Sequence, residues 1–266
     1  MDGNTAITLS SEEICVLAGL LGYETVFGIH PPTLQTENLR RAVRDIVEQL
    51  ERKKLIRYDL DGTLSVAAAA EQCIACMCAA QTVGLFTTNI ATGKTATAYV
   101  LEKNRFVTLV EELPDGRYRI GAADGTAVAR LFPQQLQNAF AGSMREKLLL
   151  EEAACIKEQM LSFDSESARR HMEKCVNDAH SVPLLLQVLS GSCDYLCVQI
   201  YQRSRTAYDT VYHALIALPD GQAVCVSVDE NDMVGFCSVD PAAVRAQAER
   251  MLGTDRGNIQ QWKASL

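Results

Sequence analysis

Apolar residues along the chain alternate between helical and strand spacing, and the switches between the two mark its elements. Ile14, Leu17, Leu20 and Leu21 follow the capping box Ser10-Ser11-Glu12-Glu13, and Gly22 ends that helix. Pro31-Pro32 forces a loop, and Leu39, Val43, Ile46, Val47 and Leu50 then line one face of a second helix over about 36–53. Leu55-Ile56-Arg57-Tyr58 and Thr63-Leu64-Ser65-Val66 flank an Asp-Gly turn at Asp61-Gly62, the pattern of a short hairpin. The least polar stretch, 66–86, is built on Ala and Cys rather than Leu and is interrupted by Glu71 and Gln72. It reads as a buried helix over about 67–80 running into a strand, not as a membrane span.

Strand spacing then takes over. Segments 95–102, 105–113 and 117–122 form a meander, with Tyr118 and Ile120 alternating against Arg117 and Arg119. Helices are expected over 127–140, with Pro133 marking a break or first turn, and over 144–163 and 165–177. A second meander follows. Leu196, Val198 and Ile200 share a face of 194–201, 209–218 is apolar on both faces like a central strand, and 222–228 and 233–238 are shorter. Pro241 opens a final helix that Gly253 closes. Leu113-Pro114-Asp115-Gly116 recurs as Leu218-Pro219-Asp220-Gly221, an offset of 105 residues, each copy between strands in a meander that a helix follows. Pro and Gly at those positions suit a type I turn, so four residues can also recur by convergence. The shared context favours an α+β fold of two quasi-repeated halves, with antiparallel meanders joined in one sheet, helices on its faces and a helical, winged-helix-like N-terminal part. The expected division is an N-terminal half over 1–140, a helical connection over 141–182, and a C-terminal meander with its closing helix over 183–266.

Composition narrows the function class. The chain has 266 residues, 48% apolar and 22% charged, as in a soluble globular protein. Its net charge of −8 argues against coating nucleic acid or a membrane surface, both of which need a basic face. Met1-Asp2-Gly3-Asn4 is acidic where a signal peptide is basic, so a cytoplasmic location without membrane insertion is expected. Most of the ten cysteines fall within helix or strand patterns, where a reduced thiol serves as a small apolar residue.

Each chemical motif meets a plainer reading. Thr92-Gly93-Lys94-Thr95 resembles the end of a phosphate loop, but Thr88 holds the first glycine position and a strand follows instead of a helix. Cys73-Ile74-Ala75-Cys76 lies inside an Ala-rich helix and has no second ligand pair for zinc. His171 and Cys175 lie one helical turn apart near His180, so a metal or Cys/His dyad can be drawn. Arg169, Arg170 and Lys174 beside them oppose a cation. His213, between Val211 and Leu215, reads as a core histidine. No catalytic residue, metal or cofactor is therefore assigned, and a non-enzyme is expected. Arg40, Arg41, Arg44, Arg52, Lys53, Lys54 and Arg57 on or beside the second helix, with the hairpin behind it, leave a winged-helix DNA-binding regulator as the alternative. Glu37, Asp45, Glu48 and Glu51 interleave with those basic groups, as on a solvated face.

Leu9-Ser10-Ser11-Glu12-Glu13 with Leu17-Ala18-Gly19-Leu20-Leu21-Gly22, followed by Leu55-Ile56 and Asp61-Gly62, resembles the start of EspG-type chaperones of type VII (ESX) secretion. The resemblance implies two sheet-and-helix halves related by a quasi-twofold, and a cytosolic adaptor that holds the aggregation-prone end of a small helical secretion substrate. It also implies a substrate-grasping loop between strands, for which the polar segments 88–94 and 202–208 stand as candidates. Thr88, Asn89, Thr92, Lys94, Tyr195, Tyr201, Arg203 and Arg205 are the expected partner-binding residues, the two tyrosines as anchors. Such a role needs a sheet face or edge that buries a partner's apolar tip, with about 800 Å² from each side.

Overall fold

The structure, a computed structural model, describes residues 6–30, 32, 39–60, 62–90, 94–123, 126–140, 142–205 and 207–254. The expected start of the second helix at 36–38, Asp61 of the hairpin turn, and Thr92 and Gly93 lie outside the described residues.

The described chain begins with strand β1 (Ile7–Leu9) and helix α1 (Ser11–Leu20). The capping box forms as expected: Glu13 N donates to Ser10 Oγ at 3.3 Å, and Ser10 N donates to the Glu13 carboxylate at 2.9 Å. Helix α2 (Leu39–Arg52) buries Ile46 and Leu50. The hairpin β2 (Ile56–Tyr58) and β3 (Leu64–Val66) stands apart as a two-stranded sheet. Helix α3 (Ala68–Ala79) leads into β4 (Thr82–Thr88), β5 (Ala96–Lys103), β6 (Phe106–Glu112) and β7 (Tyr118–Ala122). Pro133 breaks the next segment into α4 (Ala127–Leu131) and α5 (Gln134–Gln137).

The second half opens on β8 (Arg145–Leu149), followed by α6 (Leu150–Leu161), α7 (Ser165–Cys175) and α8 (Val182–Ser190). Four strands follow: β9 (Asp194–Arg203), β10 (Tyr208–Leu218), β11 (Val224–Val228) and β12 (Met233–Ser238). Helix α9 (Pro241–Met251) ends the described chain. The helix expected over 144–163 is thus corrected at its start, because 145–149 is a strand paired antiparallel with β12. Alternate burial of Glu146 and Leu148 gives it period 2, while Leu149 and Leu150 extend its apolar run into α6 and hide the boundary.

Among the described residues, ten strands form one antiparallel sheet in the order β1-β7-β6-β5-β4-β9-β10-β11-β12-β8. Read outward from β4 and from β9, the two sides carry corresponding strands, so a quasi-twofold normal to the sheet passes between them. Leu85 lies opposite Gln199 on that axis, 114 residues apart. The same spacing separates the starts of α3 and α8, and of α4 and α9. The repeated Leu-Pro-Asp-Gly is not part of this relation. Its first copy joins β6 to β7 and its second joins β10 to β11, and these turns do not correspond. The turns recur by convergence, whereas the repeat of the halves lies in the element order.

Three apolar cores hold the layers together. α1, α2 and α3 pack on Val83, Leu101, Val110, Tyr118 and Ile120; α6, α7 and α8 pack on Leu148, Val224, Val234 and Phe236. Following cross-strand partners from Val83 through Leu85, Gln199, His213 and Leu215 to Val226 puts both helix triplets on the same face of the sheet. The opposite face carries α4, α5 and α9 over Phe86, Val100, Leu196, Val198, Ile200 and Ile216. Gly84 lets α9 approach there, since a Cβ would meet Leu252 Cδ1 at 2.8 Å.

The cysteines divide by environment more than the sequence suggests. Only Cys73 and Cys76 are buried, Cys155 is exposed, the other seven are half-buried, and all ten are free thiols. Cys76 Sγ donates to Leu101 O at 3.1 Å, and burial pushes its pKa up to about 12. Against an ordinary cysteine that removes on the order of a thousandfold of its thiolate at neutral pH. We therefore expect a thiol reagent to label Cys155 in the first phase and Cys76 only as the protein unfolds, followed by peptide mass analysis. Labelling of native Cys76 at the Cys155 rate would contradict the packing of α3 on the sheet.

Candidate functional site

Among the described residues, no helix covers the middle of the sheet between the two helix triplets. Thr97, Thr87, Cys197 and Leu215 form one cross-strand row on that face, and Tyr99, Leu85, Gln199 and His213 form the next. Leu85 and Leu215 are half-buried yet belong to none of the three cores. Period 2 explains the arrangement. Leu196, Val198 and Ile200 turn to the covered face, so Tyr195, Cys197 and Gln199 point to the open one. The two rows contain no Asp, Glu, Lys or Arg, and interface centres are depleted in charge in the same way.

Polar contacts fix these side chains in place. Tyr201 Oη donates to Gln199 Oε1 at 3.0 Å, and Cys197 Sγ lies 3.6 Å from His213 Nε2. Burial raises the Cys197 pKa, so the pair is not a preformed thiolate. His213 is exposed here rather than in the core, which corrects the sequence reading. Strand β10 is likewise not apolar on both faces throughout: its first half is largely exposed, pairs with β9 alone, and carries an irregularity between Thr210 and Tyr212.

The expected partner-binding residues are brought together in two groups, at opposite ends of the β4–β9 pair. At one end Thr88 Oγ1 donates to Tyr195 O at 3.0 Å, and Tyr195 N donates to Asn89 Oδ1 at 2.6 Å. Thr88 and Asn89 thus clasp the start of β9 and hold Tyr195 at the edge of the open face, with exposed Lys94 in the following loop. At the other end Tyr201 joins Phe27, Tyr99 and Tyr208 in an aromatic cluster, with Phe27 and Tyr208 centroids 5.2 Å apart. Arg203 and Arg205 flank a shallow pocket of about 220 Å³ with Thr25, Cys78, Ala207 and Tyr208. Six residue steps separate the ends, about 20 Å of strand. Under the quasi-twofold, the β4–β5 and β9–β10 loops occupy corresponding places.

Sequence reasoning missed Leu85, Thr87, Gln199 and Leu215. Alternation placed them on a face, but nothing local tells that no helix among the described residues lies over this stretch of it. Charge on α2 is partly internal as well: Lys53 Nζ meets the Glu13 carboxylate at 2.6 Å, and Arg52 pairs with Glu48 at 3.9 Å. Among the described residues no helix is long and apolar enough to cross a membrane.

The fold and the open face define a class: a mixed α+β protein with two related halves, a continuous antiparallel sheet, and a neutral trough between paired helix layers. The solved structure of EspG5, the Mycobacterium tuberculosis type VII secretion system chaperone, determined in complex with a PE25–PPE41 dimer, has this fold. It matches at a TM-score of 0.65 and 14% identity, covering 94% of this chain and 96% of that one. At that identity the likeness is one of fold. No protein-family model and no curated protein matches the sequence.

Proposed function

We propose that this chain is a non-enzymatic, cytoplasmic chaperone or adaptor that binds a small helical substrate of type VII secretion. The observation that carries the reading is the open trough around Leu85, Thr87, Cys197, Gln199 and Leu215, in a fold shared with a secretion chaperone along nearly its whole length. A partner's apolar helical tip fits such a trough because it exchanges solvent contact for a neutral surface already fixed by the sheet. Tyr195, Thr88, Asn89 and Lys94 then border the footprint at one end and Tyr201, Arg203 and Arg205 at the other. A stable complex needs the flanking helices too, since about 800 Å² from each partner exceeds two rows of side chains.

The test is co-expression with the small helical proteins encoded beside this gene. A complex of one chain with one partner, stable through size-exclusion chromatography, is expected. If none of those proteins co-purifies and the chain instead retains duplex DNA at about 50 mM salt, the adaptor reading falls and the α2 regulator takes its place.

A further inference from the structure

We infer that Glu152, His171 and Cys175 form a binding site for Zn²⁺, with the fourth coordination position open to water. One ligand atom from each residue lies within 4.8 Å of the others, and no other such group occurs among the described residues. His171 and Cys175 are one turn apart at the end of α7, and Glu152 reaches them from the first turn of α6. Leu149 N donates to Glu152 Oε2 at 3.3 Å, which orients the carboxylate and leaves its other oxygen available. All three residues are half-buried.

The quasi-twofold supplies an independent argument. Glu13 is the third residue of α1 as Glu152 is the third of α6. In the first half Glu13 meets the Lys53 ammonium just past the end of α2. In the second half the groups clustered with the carboxylate at the end of the corresponding helix are an imidazole and a thiol, with Lys174 in the same last turn. A divalent cation bound by carboxylate, thiolate and neutral imidazole takes the place that the Lys53 ammonium holds beside Glu13 and balances the two ligand charges.

The donor set suits zinc, which is borderline-soft and takes N, O and S together. Tetrahedral bonds of about 2.0–2.3 Å put ligand atoms roughly 3.5 Å apart, so the side chains need to close by about 1 Å. Two of the three neighbouring cations that the sequence set against a metal are neutralised within α7. Arg169 Nε pairs with Glu173 at 3.1 Å and Arg170 pairs with Glu166, so both guanidiniums are compensated along their own helix. Burial first, then the Glu152 carboxylate, raises the Cys175 pKa without metal, while Lys174 lowers it. On binding, the thiol proton is released to solvent and sulfur coordinates the ion. The site then clips α6 to α7 next to the sheet edge at β8, independently of what the open face binds.

The experiment is titration of the full-length, reduced, metal-free chain with Zn²⁺, with Co²⁺ as the spectroscopic probe. One equivalent is expected, with a single thiolate-to-cobalt charge-transfer band that Zn²⁺ displaces. Cys175→Ser and His171→Ala should each weaken binding by about a hundredfold or more, and Glu152→Gln by at least about tenfold, where even supporting residues matter at this level. Cys155→Ser, on the same α6, should change nothing. Urea midpoints without metal establish that each variant folds, and if one does not, the wild-type cobalt spectrum decides. Absence of the thiolate band, no stoichiometric zinc, or binding that survives Cys175→Ser overturns the site.

Discussion

Replacing Glu146 by alanine is expected to lower stability by about 3–5 kcal/mol, more than almost any surface charge in the molecule. Glu146 lies on β8 with 3% exposure, an unusual place for a carboxylate. It accepts from Asn177 N at 3.0 Å, from Asp178 N at 2.9 Å and from Asn177 Nδ2 at 3.3 Å. These bonds hold the segment between α7 and the 3-10 turn Ala179–Ser181 against the edge strand. Bonds to an ionised acceptor contribute about 1.5–3 kcal/mol each, and removing the acceptor deletes all three at once. Glu146→Gln should lose less, because its carbonyl still accepts while its amide faces other donors. Urea unfolding is the measurement: the midpoint should fall sharply with the slope unchanged. A loss below about 1 kcal/mol would mean that β8 and the Asn177 segment are held by something else.

The second large effect concerns the open face. Leu85→Arg should weaken the partner complex by about a hundredfold or more, near 2.7 kcal/mol, and leave the melting temperature close to wild type. Both halves of that expectation follow from the same fact. Leu85 packs in none of the cores, so an arginine there keeps its charge in water in the free chain. In the complex the same charge is buried at the centre of a neutral trough without a counter-ion. Leu215→Arg, two strands away, should behave alike. Leu60→Arg at the exposed tip of the β2–β3 hairpin is the control and should bind normally. Unchanged affinity in both trough variants, with the complex intact, would move the binding surface elsewhere on the molecule.

Elements with a strong local signal are legible in the order of residues alone. The Ser10–Glu13 capping box, the break at Pro133, the helix from Pro241 and most strands appear near where periodicity and turn chemistry place them. Local signal fails where a residue serves two patterns. Arg145–Leu149 carries both a strand alternation and the apolar lead into α6, and only hydrogen bonding to β12 selects the strand. The candidate binding residues behave similarly: Thr88 and Asn89 meet Tyr195 through side-chain-to-backbone hydrogen bonds across 107 and 106 residues, which no local spacing encodes.

By itself, the sequence determined the α+β class, the helix caps and the alternating faces of the strands. Those features follow from interactions within a few residues, where sterics and period dictate what each segment does alone. Tertiary structure alone decided that the halves meet along β4 and β9, and that the repeat runs near 114 residues instead of 105. It alone left the middle of one sheet face without a helix among the described residues, and it drew Glu152 to His171 and Cys175. Such outcomes depend on which surfaces pack against one another, and the free energy of that choice is shared among residues far apart in the chain.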